Sequence, residues 1–133
     1  MWNKYGNVKV TTEDGTFDSK GEWKRWIFLK DAERRGEIKD LQRQVRFSLV
    51  PPVHYYKTVQ LKTKAKQVER LWTQEVTYTA DFVYSFHEAT VVEDFKGMPN
   101  DRWPIKKALM AFVHGIYVRE VKRPAEPITD SEK

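Results

Sequence analysis

The run Glu75 to Phe86, EVTYTADFVYSF, limits the fold more than any other part of this chain. Its β-branched and aromatic residues suit a pleated, packed surface, so it reads as a strand. One acid, Asp81, interrupts it between Ala80 and Phe82. Burying a carboxylate is costly unless a partner compensates. Asp81 therefore sits at an exposed edge or is kept for chemistry. Residues 89–96, ATVVEDFK, read as the next strand, with His87-Glu88 as a tight connection.

The remaining elements fall around this hairpin. Residues 1–18 are hairpin-like, with Val8 and Val10 alternating with polar neighbours and Asp14-Gly15 marking a turn before Phe17. A helix follows, capped by Ser19 and stopped at Gly36. Trp23, Trp26, Ile27 and Leu29 give it an apolar side, with Lys20, Lys24, Arg25, Lys30 and Arg34 on the other. Residues 41–50 alternate as a strand that Pro51-Pro52 ends. Residues 53–70 set Lys57, Lys62, Lys64, Lys66 and Arg70 against one acid, Glu69. They read as a basic insertion, either a long hairpin or a mobile loop. A second helix begins near Pro104, with Ile105, Ala108, Leu109 and Phe112 as its apolar stripe and Lys106 and Lys107 off it. Gly115 stops it, and Ile116 to Val121 reads as a last strand. The domain thus spans 1–122, and the polar tail 123–133 is expected to be disordered. This order predicts one mixed α/β domain.

At 133 residues the chain suffices for a single core, and 40% hydrophobic residues argue against disorder. No apolar run approaches the roughly 20 residues of a membrane span. The first residues, MWNKY, lack the apolar run of a secretory signal. The chain has no cysteine, which excludes disulfides, thiolate metal sites and cysteine nucleophiles and fits a reducing cytoplasm. Its three histidines show no metal-ligand spacing. A net charge of +5 favours a polyanionic partner, most simply nucleic acid.

Alternation places Asp94 and Lys96 on one side of their strand and Glu93 and Phe95 on the other. If the two strands pair as a hairpin, Asp81 comes alongside Asp94. Two carboxylates 4 Å apart repel by about 4 kcal/mol at an effective dielectric of about 20. A divalent cation reverses that penalty, and Mg²⁺ suits an all-oxygen site that keeps waters for a phosphate. Lys96 can then orient a water or offset charge developing on the phosphate.

Asp81-Phe-Val-Tyr84 followed by Asp94-Phe95-Lys96 resembles the PD-(D/E)XK nuclease superfamily. Lys4-Tyr5-Gly-Asn, Phe17-Asp18-Ser19-Lys20-x-Glu22, Leu41-Gln-x-Gln44-Val-x-Phe47 and Val92-Glu-Asp94-Phe-Lys96-Gly97 extend the likeness to a family of short, mostly phage-encoded nucleases related to Holliday junction resolvases. The resemblance covers most of residues 3–121. It implies a restriction-endonuclease-like α/β domain with a central mixed sheet flanked by helices. It implies Mg²⁺ dependence, with Mn²⁺ as a substitute, and a homodimer that cuts two strands of a four-way DNA junction in a host cytoplasm. Carried onto this chain, Glu22 joins Asp81 and Asp94 at the metal, and Lys96 is the catalytic lysine. Gln44 is an auxiliary polar group. Lys57, Lys62, Lys64, Lys66, Lys106 and Lys107 are candidates for DNA backbone contact.

Plainer readings stand beside these. Ser19-x-x-Glu22 is also a capping box. Glu93 adjoins Asp94, and only the spacing to Lys96 favours Asp94. Gln44 reads more readily as a strand surface residue than as a site residue, and the basic run as a solvated face, although Tyr55 and Tyr56 offer stacking surfaces for bases. The functional alternatives are a nuclease for flaps, nicks or duplex DNA, and a non-catalytic nucleic-acid-binding module on the same fold.

Overall fold

The computed structural model describes residues 8–95 and 100–129. Lys96 and the last four residues lie outside this set. The fold opens with a small antiparallel hairpin, β1 (Val10–Thr12) and β2 (Gly15–Phe17). Helix α1 (Lys20–Arg34) follows, then β3 (Lys39–Val50), β4 (Val53–Gln60), β5 (Ala65–Thr73), β6 (Val76–Phe86), β7 (Ala89–Phe95), α2 (Arg102–His114) and β8 (Arg119–Val121). The central sheet has the order β3-β6-β7-β8, antiparallel except for the parallel β7–β8 pair. It is a mixed sheet carrying two helices, as expected of a mixed α/β domain.

The two helices cover opposite faces. Leu29 and Ala32 of α1 pack with Phe82, Tyr84, Val91, Phe95 and Val121. Trp103 and Met110 of α2 pack with Leu49, Tyr78, Ala80, Val92 and Val118. Adjacent Val91 and Val92 thus enter different cores, as strand alternation requires. Along β6, however, Tyr78 and Ala80 face α2 while Phe82 and Tyr84 face α1. A regular strand would put all four on one side, so β6 turns over at Asp81. Opposite it, β3 turns over as well: Leu41 packs on the α1 side, and Phe47 and Leu49 on the α2 side. Gln44 stands at that point with φ 54°, a left-handed conformation uncommon for a residue with a side chain.

Local rules explain most boundaries. The Ser19 hydroxyl accepts the Glu22 N–H at 3.1 Å and caps α1, and Gly36 follows its last turn at φ 80°. His87 and Glu88 both have positive φ, the pairing that a two-residue turn between right-twisted strands demands. Helix α2 begins at Arg102, two residues before Pro104, because Asn100 Oδ1 accepts the N–H groups of Arg102 and Trp103.

Three expectations need correction. In α1 the inward stripe is Glu22, Arg25, Leu29 and Ala32, while Ile27 is exposed. Arg25, expected among the solvent-facing cations, is fully buried. Its guanidinium grips Glu93 with Nε at 2.9 Å and Nη2 at 2.7 Å, a bidentate geometry only arginine provides. In α2, Trp103 and Met110 anchor the helix, which leaves Ile105 and Phe112 of the expected stripe in solvent. The tail is also not free over its described part. Arg25 Nη1 donates to the carbonyls of Pro124 at 3.0 Å and Glu126 at 2.6 Å, and Ile128 packs against the α1 core.

The basic insertion forms a two-stranded arm. β4 and β5 pair only with each other, continuing β3 and β6 beyond Pro51-Pro52, and all but two of their residues are exposed.

The Arg25–Glu93 pair generates a stability prediction. Arg25→Ala leaves a carboxylate buried and strips two tail carbonyls of their donor. It should cost about 3–5 kcal/mol in urea unfolding, whereas Arg25→Met combined with Glu93→Leu should recover most of that loss. Equal losses in the single and double variants would show that the ion pair is not the reason.

Candidate functional site

Four of the predicted site residues come together where β3 and β6 change face. Gln44 Nε2 donates toward Glu22 Oε1 at 3.4 Å and toward Asp81 Oδ1 at 3.3 Å. The other Asp81 oxygen accepts the backbone N–H of Phe95 at 2.8 Å. The β6–β7 ladder runs from Phe86–Ala89 to Phe82–Glu93, and beyond it this side chain takes the place of a main-chain partner. The same register, continued by one residue, sets Asp81 beside Asp94, and the nearby Asp81 charge adds to burial in raising the Asp94 carboxyl. Tyr78 donates its hydroxyl to Asp94 Oδ2 at 3.0 Å.

Helix α1 reaches this cluster because of Gly21. A Cβ on that residue would lie 2.8 Å from the Phe95 ring, so only glycine lets the first turn approach β7 this closely. Glu22 is the next residue. Its backbone N–H donates to the Ser19 hydroxyl, while its carboxylate turns to Gln44; the described contacts include no return bond from the Ser19 N–H to that carboxylate, the second half of a capping box.

Alternation also separates Glu93 from Asp94. Glu93 enters the α1 core, held by Arg25, by the Tyr84 hydroxyl and by Arg119 Nη1 at 3.7 Å. All its capacity is committed to structure. Asp94 turns to the opposite side and meets Tyr78 and Asp81.

The cluster is electrostatically unfavourable as it stands. Burial, then the nearby charges of Asp81 and Asp18, push the Glu22 carboxyl up to about 7. Burial and Asp81 push Asp94 up to about 7. Burial also raises Asp81, opposed by the N–H of Phe95 and by Gln44. Arg43 partly offsets the charge near Glu22, its guanidinium lying 4.0 Å over the Phe17 ring and donating to the Thr16 carbonyl. Among the described residues no three acid or histidine side chains already ring an ion-sized position. The donors are nonetheless all oxygens, whose raised proton affinity a hard cation would oppose, and they suit Mg²⁺ or Mn²⁺ in kind.

The remaining predicted residues are dispersed. Lys57, Lys62, Lys64 and Lys66 belong to the arm and the loop at its tip. Lys106 is half-buried on α2, and Lys107 pairs with Glu120 at 3.2 Å. Lys96 lies outside the described residues. A groove of about 840 Å³ between α2 and the tail, lined by Ala108, Tyr117 and Arg123 among others, contains none of the carboxylates of the cluster. Sequence reasoning missed Tyr78, Asp18 and Arg43. Only Tyr78 left a signal, since a tyrosine in a buried strand needs a hydroxyl partner.

No helix of the described residues is long and apolar enough to cross a membrane. A family model described as "Protein of unknown function (DUF1064)" matches residues 2–123. No curated protein and no solved structure matches the chain.

A raised carboxyl pKa makes the folded state hold a proton that the unfolded chain has already lost. Stability without metal should therefore fall as pH climbs from the ordinary glutamate value of 4.5 toward about 7. Glu22→Gln removes its share of that fall. In EDTA it should stabilise the protein by on the order of 1–3 kcal/mol at pH 8 and change little at pH 4. The same shift in melting temperature at both pH values would contradict the assignment.

Proposed function

We propose that this chain, which belongs to the DUF1064 family, is a metal-dependent DNA endonuclease of the Holliday junction resolvase type. The observation that carries this reading is the meeting of Glu22, Asp81 and Asp94 from three separate elements, where burial and the Asp81 charge raise both Glu22 and Asp94. Two of these acids share one neutral amide, Gln44, and the third adjoins Asp81, with no lysine or arginine paired to any of them among the described contacts. Perturbed carboxyls in such a cluster mark a functional site more often than a structural one. The central mixed sheet with a helix on each face supports a restriction-endonuclease-like fold.

In this reading the three carboxylates hold Mg²⁺, with Mn²⁺ as substitute. Bound there, the ion supplies Lewis acidity toward a phosphate oxygen and acidifies a water. Gln44 keeps Glu22 and Asp81 apart and oriented, and Tyr78 fixes the rotamer of Asp94. Lys96 orients the attacking water or offsets charge on the phosphate. The water oxygen bonds to phosphorus, one P–O ester bond breaks, and the departing oxygen takes a proton. Lys57, Lys62, Lys64, Lys66, Lys106 and Lys107 contact phosphates, with Lys107 exchanging Glu120 for a phosphate. The reaction takes place in the cytoplasm, that of a host if the chain is phage-encoded.

The decisive assay presents labelled four-way junction, matched duplex and flap to the protein, each with Mg²⁺ and with EDTA. Paired, metal-dependent cuts in the junction are expected, reduced at least about a hundred-fold by Asp94→Asn. Equal cutting of all three substrates would keep the nuclease and remove junction selectivity. Tight binding without cutting would make the chain a binding module on the same fold. Paired cuts also call for two sites related by a two-fold axis. Sedimentation should therefore find a dimer at assay concentration, and an active monomer would exclude it.

A further inference from the structure

The arm sorts its side chains by face. In its register Tyr55 lies opposite Arg70, Lys57 opposite Val68 and Val59 opposite Lys66, so these six share one side. Trp72 joins them, its ring 5.6 Å from that of Tyr55 and edge-on to it. The other side carries His54, Tyr56, Thr58 and Gln60 against Leu71, Glu69, Gln67 and Ala65. Glu69, the one acid among residues 53–73, is on that second side. The first face therefore presents Lys57, Lys66 and Arg70 with no acid, beside two exposed aromatics. Trp72 is 69% exposed.

An exposed tryptophan in water is unfavourable unless something covers it. Its neighbours state the chemistry of the cover. Three unopposed cations favour a polyanion and disfavour a second copy of a chain that is itself at +5. Fully paired duplex offers phosphates but hides its bases in the stack, leaving the aromatics uncovered. Unpaired DNA offers both.

We propose that this face of the arm binds unpaired DNA bases, with Tyr55 and Trp72 stacking on them and Lys57, Lys66 and Arg70 holding the adjoining phosphates. The arm would thus select DNA with unstacked bases, such as a branch point, independently of the carboxylate cluster. The inference rests on the reading of the chain as DNA-binding and not on its catalysis, so the test is run in EDTA.

Fluorescence anisotropy would compare a labelled oligo-dT strand with a duplex of equal length. The intact chain should prefer the single strand. Tyr55→Ala with Trp72→Ala should weaken single-strand binding by roughly ten-fold or more while changing duplex binding less than about two-fold. Trp72→Leu keeps apolar area but no π face and should behave like Trp72→Ala, whereas Trp72→Phe should retain most of the affinity. Lys57→Ala and Arg70→Ala should weaken both ligands and lower the salt slope by about one each. Unchanged thermal unfolding of these arm variants would show that the core is intact. Wild-type single-strand affinity in the double variant, or equal loss on strand and duplex, would overturn the proposal. No binding by the intact chain would overturn it together with the DNA reading. Binding without cleavage in Mg²⁺ would remove the nuclease alone.

Discussion

The buried contact between Arg25 and Glu93 is the hinge on which the arrangement turns. One guanidinium joins the helix α1, the strand β7 and the carbonyls of Pro124 and Glu126. Fixing Glu93 on the α1 side leaves Asp94 no choice but the other side, because neighbouring strand residues point apart. The same contact holds α1 against the sheet along a line that includes Glu22 three residues earlier. A charged pair this deep is an uncertain source of net stability. What it supplies here is geometry: it sets which acid is committed to the core and which is left for the cluster.

The cluster itself is built from departures from regularity. The overturned strands at Gln44 and Asp81, the close approach at Gly21 and the replacement of a ladder hydrogen bond by a carboxylate all occur within a few residues. Each is unfavourable alone, and the surrounding cores on both faces hold them in place. Left-handed backbone at Gln44 costs energy that glycine at this position would relieve, yet it aims the amide between two acids. Such concentration of local strain supports the proposed role of this region.

Some of this was legible in the residues. The β6–β7 hairpin followed from composition and from a two-residue connection, and its alternation placed Asp81 beside Asp94. The Ser19 cap and the Gly36 and Gly115 stops followed from local chemistry. Glu22 reached the site only through the family resemblance, since its sequence pattern equally describes a capping box. Local pattern places Arg25 on the surface, because its partner lies 68 residues away and nothing near it in sequence announces the pair. The α2 stripe misled because Trp103 and Met110, rather than the neat run from Ile105, fill the space above the sheet. Positive φ at Gln44 is a tertiary effect and has no signature in a single chain. The arm was open between hairpin and loop because its strands are polar on both sides and lack the period that one buried face imposes.

The arm follows on from two strands of the central sheet across a junction with a register shift on each side, at Ser48/Val50 and Val53/His54, and from that junction outward its side chains alternate by face. Lengthening both of its strands by one residue would turn every tip side chain to the opposite face, and lengthening them by two would restore the faces while carrying the tip about 7 Å further out. Reach and facing are thus locked together, and the arm can change its span only in discrete steps. Relatives with longer or shorter arms would be restricted to those steps wherever the basic and aromatic face is kept.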